Sequence, residues 1–159
     1  MGPPLMSQLA IQDQLDTNLC FGCGSRNDQG LGIKSYWSGD ECVSTWVPQP
    51  QHAAGPPGIL NGGIISTLID CHAGCTAVAH AYREEGREIG SAPAIWYATA
   101  SLKVDYLRPT PIDAPVTIRA RVRETRGRKT WVDCTLYSGA KECARGEVLA
   151  VQVPPEWGR

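Results

Sequence analysis

The chain has 159 residues, enough for one domain with its own core or for one subunit of a small oligomer. With 15 Lys and Arg against 16 Asp and Glu, its formal net charge is -1, which excludes a global electrostatic pull toward nucleic acid or a membrane surface. Its seven cysteines are odd in number and scattered, which argues against a disulfide framework and for a reducing, cytoplasmic compartment.

Residues 1–18 read as a lead-in, loose or helical as far as Asp16. The first seven residues lack the basic and apolar blocks of a signal peptide, and Met6 stands where a myristoylation pattern needs Ser or Thr. Cys20-Phe21-Gly22-Cys23 is the only CxxC. A zinc site needs four ligands, and no second pair follows at finger-like spacing, so the motif is expected to be a tight turn without metal. Residues 33–37 and 42–47 are strand-like, joined by the turn Ser38-Gly39-Asp40. Pro48, Pro50, Pro56 and Pro57 make residues 48–58 a shaped loop.

A helix is expected from about Asn61 to Tyr82 or Arg83, with no apolar run long enough to span a bilayer. Ile64, Ile65, Leu68, Ile69, Cys75, Val78, Ala79 and Tyr82 form its apolar stripe. Gly63, Ser66, Thr67, Asp70, Gly74 and Ala77 form a second face of small residues, open to close approach by a backbone or a ligand. Asp70 is the informative residue, because a carboxylate in so apolar a helix is costly to desolvate unless it is paired. The helix opens on Gly62-Gly63, whose free N–H groups suit an oxygen that gains negative charge. Together the two features point to acyl-transfer chemistry.

After the charged loop at 83–91 the period becomes two. Leu102, Val104 and Tyr106 alternate with Ser101, Lys103 and Asp105; Val116, Ile118, Ala120 and Val122 alternate with Thr117, Arg119, Arg121 and Arg123. Turns at Arg126-Gly127 and Ser138-Gly139 separate two more strands, at 129–137 and 142–153. The order is β-β-α-β-β-β-β, an α+β chain. One apolar helix fits six strands if a curved antiparallel sheet wraps around it, with the outer edges completed by a second subunit.

The ordered motifs resemble the hotdog-fold acyl-CoA thioesterases, in particular thioesterase superfamily members 4 and 5 and the phenylacetate-pathway type. The segment from His52-Ala53-Ala54-Gly55-Pro56-Pro57-Gly58-Ile59-Leu60-Asn61-Gly62-Gly63 to Asp70 carries the likeness. Cys20-Phe21-Gly22-Cys23-Gly24 with Gly30-Leu31, Thr99-Ala100-Ser101-Leu102, Tyr106-Leu107-Arg108-Pro109 and Gly127-Arg128-Lys129 extend it over roughly residues 19–153, leaving 154–159 as a tail. In that family the helix opens with His-Gly-Gly and carries Asp nine positions after the His; here Asn61 takes the His place and Asp70 keeps the spacing. The resemblance implies a homodimer or a dimer of dimers, with sites at the subunit interface. It makes Gly62 the backbone donor to the thioester carbonyl, Asp70 of the facing subunit the general base or nucleophile, and Thr99 the hydroxyl that orients water. Gly63 and His52 would line the substrate, and no metal or redox cofactor is implied.

Other readings stand beside these. Asn61-Gly62-Gly63 serves equally as a cap and flexible turn, and His52 as a structural loop residue. His72 and His80 match no catalytic position, and Cys71 and Cys75 read as inert helix cysteines. Arg119, Arg121 and Arg123 read as a solvated face, whereas Arg108, Arg128 and Lys129 near strand ends are candidate partners for CoA phosphates. Without a Gly-x-Ser-x-Gly elbow an α/β-hydrolase is disfavoured. A non-catalytic acyl-CoA binding domain remains open, as does an enoyl-CoA hydratase or dehydratase, although Asn61 removes the obvious His for the latter.

Overall fold

The computed structural model describes residues 8–15 and 18–158; the readings made on residues 1–7 lie outside them. Six strands and one helix follow in the expected order: β1 (Tyr36–Ser38), β2 (Glu41–Trp46), α1 (Gly62–Glu84), β3 (Trp96–Tyr106), β4 (Val116–Arg126), β5 (Lys129–Ser138) and β6 (Lys141–Val153). They form one antiparallel sheet in the order β1-β2-β4-β5-β6-β3.

Helix α1 packs against β2 to β6. Asn61 starts it with extended backbone and a capping side chain, and Gly86 at φ +64 follows its end in the left-handed conformation that glycine adopts freely. The expected stripe is buried at Ile65, Leu68, Ile69, Cys75, Val78, Ala79 and Tyr82, against Ile118, Val132, Leu136 and Val148 of the sheet. Ala77, read onto the small-residue face, is buried too. Of that face Gly63 is exposed, and Ser66, Thr67, Asp70 and Gly74 are half-buried. Among the described residues α1 alone is long and apolar enough to cross a membrane, against the expectation from sequence, but more than half of that stretch is buried within the fold. It is the core helix of this sheet.

The first strand is shorter than expected. Residues 31–35 spend their backbone groups on the N-terminal segment instead, through Leu31 N–H to Phe21 O (2.8 Å), Ile33 N–H to Gly22 O (3.1 Å) and Ile11 N–H to Ser35 O (2.9 Å). In the described part of the lead-in, residues 8–15, the helical alternative holds: Ala10, Ile11 and Leu15 are buried around a 3-10 turn at Ile11–Gln14. A buried polar chain fastens it to α1. Gln12 Nε2 donates to Ser35 Oγ (2.8 Å), which pairs with His72 Nδ1 (2.7 Å), while His72 Nε2 lies 2.9 Å from the Cys42 carbonyl. A carbonyl only accepts, so His72 carries its proton on Nε2 and Ser35 Oγ donates to Nδ1. Burial holds His72 at a pKa of about 4, hence neutral, and its role is structural.

On the outer face, Arg119 pairs with Glu41 (2.5 Å), and Arg123 bridges Asp133 (2.9 Å) and Glu147 (3.1 Å). The arginine row is the solvated, cross-strand paired face that the alternation implied.

Candidate active site

The helix start presents four N–H groups that the helix itself does not satisfy. Asn61 Oδ1 accepts from Gly63 N–H (2.7 Å) and Ile64 N–H (3.2 Å), and Asn61 O accepts from Ile65 N–H (3.1 Å). A Cβ on residue 63 would sit 3.0 Å from Asn61 Oδ1, so Gly63 makes room for the cap and its N–H is committed to it. Gly62 N–H has no partner among the described residues. It remains the one donor free for a ligand oxygen. The turn that carries it is held by Asn61 N–H to His52 O (2.9 Å) and Leu60 N–H to Thr110 O (2.9 Å).

His52 thus supports the helix start through its carbonyl. Its imidazole Nδ1 accepts from Gln49 N–H (2.9 Å), and the ring packs 4.9 Å from that of Trp46. Partial burial moves its pKa down.

Strand β3 lies along the open face of α1. Thr99 Oγ1 donates to Asp70 Oδ1 at 2.6 Å. Asp70 is half-buried rather than sunk in the core, and this hydroxyl is its partner. What turns Thr99 inward is a β-bulge. Thr99 pairs with Ala150 but Ser101 pairs with Leu149, leaving Ala100 extra. A regular strand would send Thr99 to the outer face with Ser101 and Lys103; the bulge returns it to the helix face with Leu102 and Tyr106. At the other end of β3, Tyr106 Oη donates to Gly62 O (2.7 Å) and lies 2.7 Å from Ser66 Oγ, which donates to it in turn. Tyr106, which the sequence placed on a strand and in a family-like segment without giving it a role, fixes the Gly62–Gly63 peptide.

The structure also separates groups that the sequence reading grouped. Gly62 and Asp70 are eight positions apart on one helix, about 12 Å along its axis. Arg128 and Lys129 sit at the Thr99 end, because Lys129 opposes Val151 and Val151 opposes Ala98. Arg108 follows Tyr106 at the opposite end, about 30 Å away along the strand direction. All three are exposed. Within one copy, therefore, Gly62 and Arg108 mark one end, and Asp70, Thr99, Arg128 and Lys129 the other.

The CxxC is more than a turn. Cys20, Cys23 and Cys71 bring their sulfurs within 4.8 Å of one another, and Cys75 Sγ lies 3.8 Å from Cys23 Sγ. Cys71 and Cys75 form no second CxxC in the sequence; they are a Cys-x-x-x-Cys on a helix, where positions i and i+4 share a face.

The family model for the thioesterase superfamily matches residues 57–144. Acyl-coenzyme A thioesterase THEM4 of Rattus norvegicus is 32% identical over 127 residues, covering 78% of this chain and 49% of that protein. The Xenopus laevis protein of the same name is 35% identical over 109 residues, covering 69% and 43%. The chain spans about half the length of the curated relatives it matches. Among solved structures, a thioesterase superfamily protein from Shewanella loihica is 37% identical, with a TM-score of 0.63 over 77% of this chain and 92% of that one. A thioesterase from Haemophilus influenzae, 15% identical, shares the fold with a TM-score of 0.65 over 81% and 83%. The helix packed on its six-stranded antiparallel sheet is the hotdog fold, and the chain belongs to the thioesterase superfamily.

Proposed function

We propose that the protein hydrolyses acyl-CoA thioesters at a site assembled from two copies of the chain. The observation that carries this reading is the split of the site's parts. The free Gly62 N–H and the Thr99-held carboxylate of Asp70 lie about 12 Å apart in one copy, too far to act on one carbonyl. β3 is an edge strand of eleven residues with Leu102 39% and Tyr106 54% exposed. Such an edge invites pairing with another strand. Antiparallel pairing of two β3 strands about a two-fold axis near Leu102 would lay the Gly62 end of one copy against the Asp70 end of the other. The same operation brings Arg108 of one copy toward Arg128 and Lys129 of its partner.

In the reaction that follows, the thioester carbonyl oxygen accepts from Gly62 N–H, which holds the negative charge formed on attack. Thr99 keeps Asp70 Oδ1 in place. The free Oδ2 takes a proton from water as that water attacks the carbonyl carbon. Collapse expels the CoA thiolate, which recovers the proton from Asp70, leaving a free acid and CoA. Asn61 replaces the family's His without loss to this scheme, because the donor is a backbone N–H that Asn61 leaves free. The thioesterase names of the relatives support the reaction class.

Mixing tests the shared site. An Asp70→Asn chain and a helix-start variant such as Gly62→Pro, which lacks the N–H, are each expected to be inactive. Co-refolded in equal amounts, they are expected to recover up to about a quarter of the wild-type activity, since about half of the dimers are mixed and one of the two sites in each of those is whole. A fully active monomer by light scattering, or no recovery on mixing two folded variants, contradicts the shared site. Binding of acyl-CoA without turnover by the wild type would leave a non-catalytic binding domain in its place.

A further inference from the structure

We propose that Cys20, Cys23, Cys71 and Cys75 form a structural zinc site that clamps the N-terminal loop onto helix α1. The inference does not rest on the thioesterase reading.

Three sulfurs, those of Cys20, Cys23 and Cys71, lie within 4.8 Å of one another, and Cys75 joins this trio through Cys23. Cys20 Sγ lies 3.5 Å from Cys71 Sγ, and Cys23 Sγ lies 3.8 Å from Cys75 Sγ. Tetrahedral zinc with Zn–S bonds of about 2.3 Å places its sulfurs about 3.8 Å apart. A disulfide needs about 2.05 Å between one pair and makes no use of the other two. Cys20-x-x-Cys23 has the usual spacing of a zinc ligand pair, and Cys71 and Cys75 share one helix face. The other three cysteines, Cys42, Cys134 and Cys143, are buried elsewhere in the core.

The surroundings are built to the same end. A Cβ on residue 22 would lie 2.2 Å from Cys71 Sγ, so only glycine lets the loop descend onto that sulfur. A Cβ on residue 24 would lie 2.5 Å from Cys20 N and 2.7 Å from Asn18 O, so Gly24 keeps the turn tight enough to aim both cysteines one way. Asn18, itself buried, braces the turn by accepting from Cys20 N–H (3.1 Å), and its Nδ2 faces Cys23 Sγ at 3.8 Å as the kind of outer-shell donor that metal ligands carry. On binding, each coordinating thiol forms a bond to zinc and loses its proton to solvent; no oxidant or reductant takes part.

The experiment uses the full chain, expressed with zinc and purified under reducing conditions without chelator. Elemental analysis is expected to find one zinc per chain in the wild type and in Cys143→Ser. Cys20→Ser, Cys71→Ser and Cys75→Ser, each checked for folding by circular dichroism, are expected to retain well under half. Cobalt added to the reduced, metal-free wild type is expected to give the sulfur-to-cobalt charge-transfer band and intense visible absorption of a tetrahedral thiolate site. The proposal is overturned if the reduced wild type takes up neither metal, or if the three variants hold as much zinc as the wild type. It is equally overturned if peptide mapping of the metal-free protein finds a Cys20–Cys71 disulfide as its stable form.

Discussion

At the scale of single residues, Asp70 and Asn61 do separate jobs. Asp70 is held by one hydroxyl, from Thr99. Asp70→Asn keeps the shape and that hydrogen bond but removes the base; kcat is expected to fall roughly 10²–10⁴-fold with the fold intact, by steady-state assay and circular dichroism. Thr99→Ala leaves the carboxylate in place but unsteered, so its loss is expected to be smaller. Asn61 closes two N–H groups that would otherwise lack a partner. Asn61→Ala is expected to cost about 1 kcal/mol of stability in denaturant titrations and to lower activity by loosening the Gly62 peptide. Asn61→His, which retains a polar group, should remain folded with activity of similar order. An inactive wild type that gains activity on Asn61→His would instead make Asn61 a disabling replacement.

At the scale of elements, the approach of α1 to the sheet depends on small residues in particular strands. Gly146 of β6 faces Ile69, and a Cβ there would lie 2.4 Å from Ile69 Cγ2. Ile69 is fully buried and has no free volume to move into. Gly146→Ala is therefore expected to destabilise the fold by about 1–3 kcal/mol, measured as a lower denaturant midpoint at unchanged m. The bulge at Ala100 in β3 works in the same way on function rather than stability. It costs one residue of ladder register and returns Thr99 to the face that α1 occupies.

At the scale of the whole molecule, the division of basic residues between the two ends of β3 makes a prediction about the cofactor half of the substrate. If Arg108 of one copy and Arg128 and Lys129 of its partner hold CoA phosphates, neutral replacements at either end should raise KM for CoA esters and spare kcat. Such contacts bind ground and transition states alike. Esters of pantetheine, which lack the nucleotide, should be indifferent to the same changes. Equal damage to both substrate types would assign these side chains to the fold.

Much of this protein was legible in its residues alone. The apolar stripe of α1, the two-residue period of β4 to β6, the cap at Asn61 and the spacing to Asp70 are local patterns, and local patterns fix element type and order. Family resemblance placed Thr99 at the site as the hydroxyl that orients water, but its hydrogen bond to Asp70 came only with the structure, and alternation by itself would have turned Thr99 outward. Tertiary structure decided the rest. It set the bulge that aims Thr99 and the tyrosine that bonds the Gly62 carbonyl. It also left Leu102 and Tyr106, on the helix face of an edge strand, exposed. Finally, it gathered Cys20 and Cys23 with Cys71 and Cys75, which lie far along the chain. Sequence spacing records neighbours along a strand or around a helix, but contacts between a loop and a distant helix depend on how the sheet and helix pack, and that is settled only when the core closes.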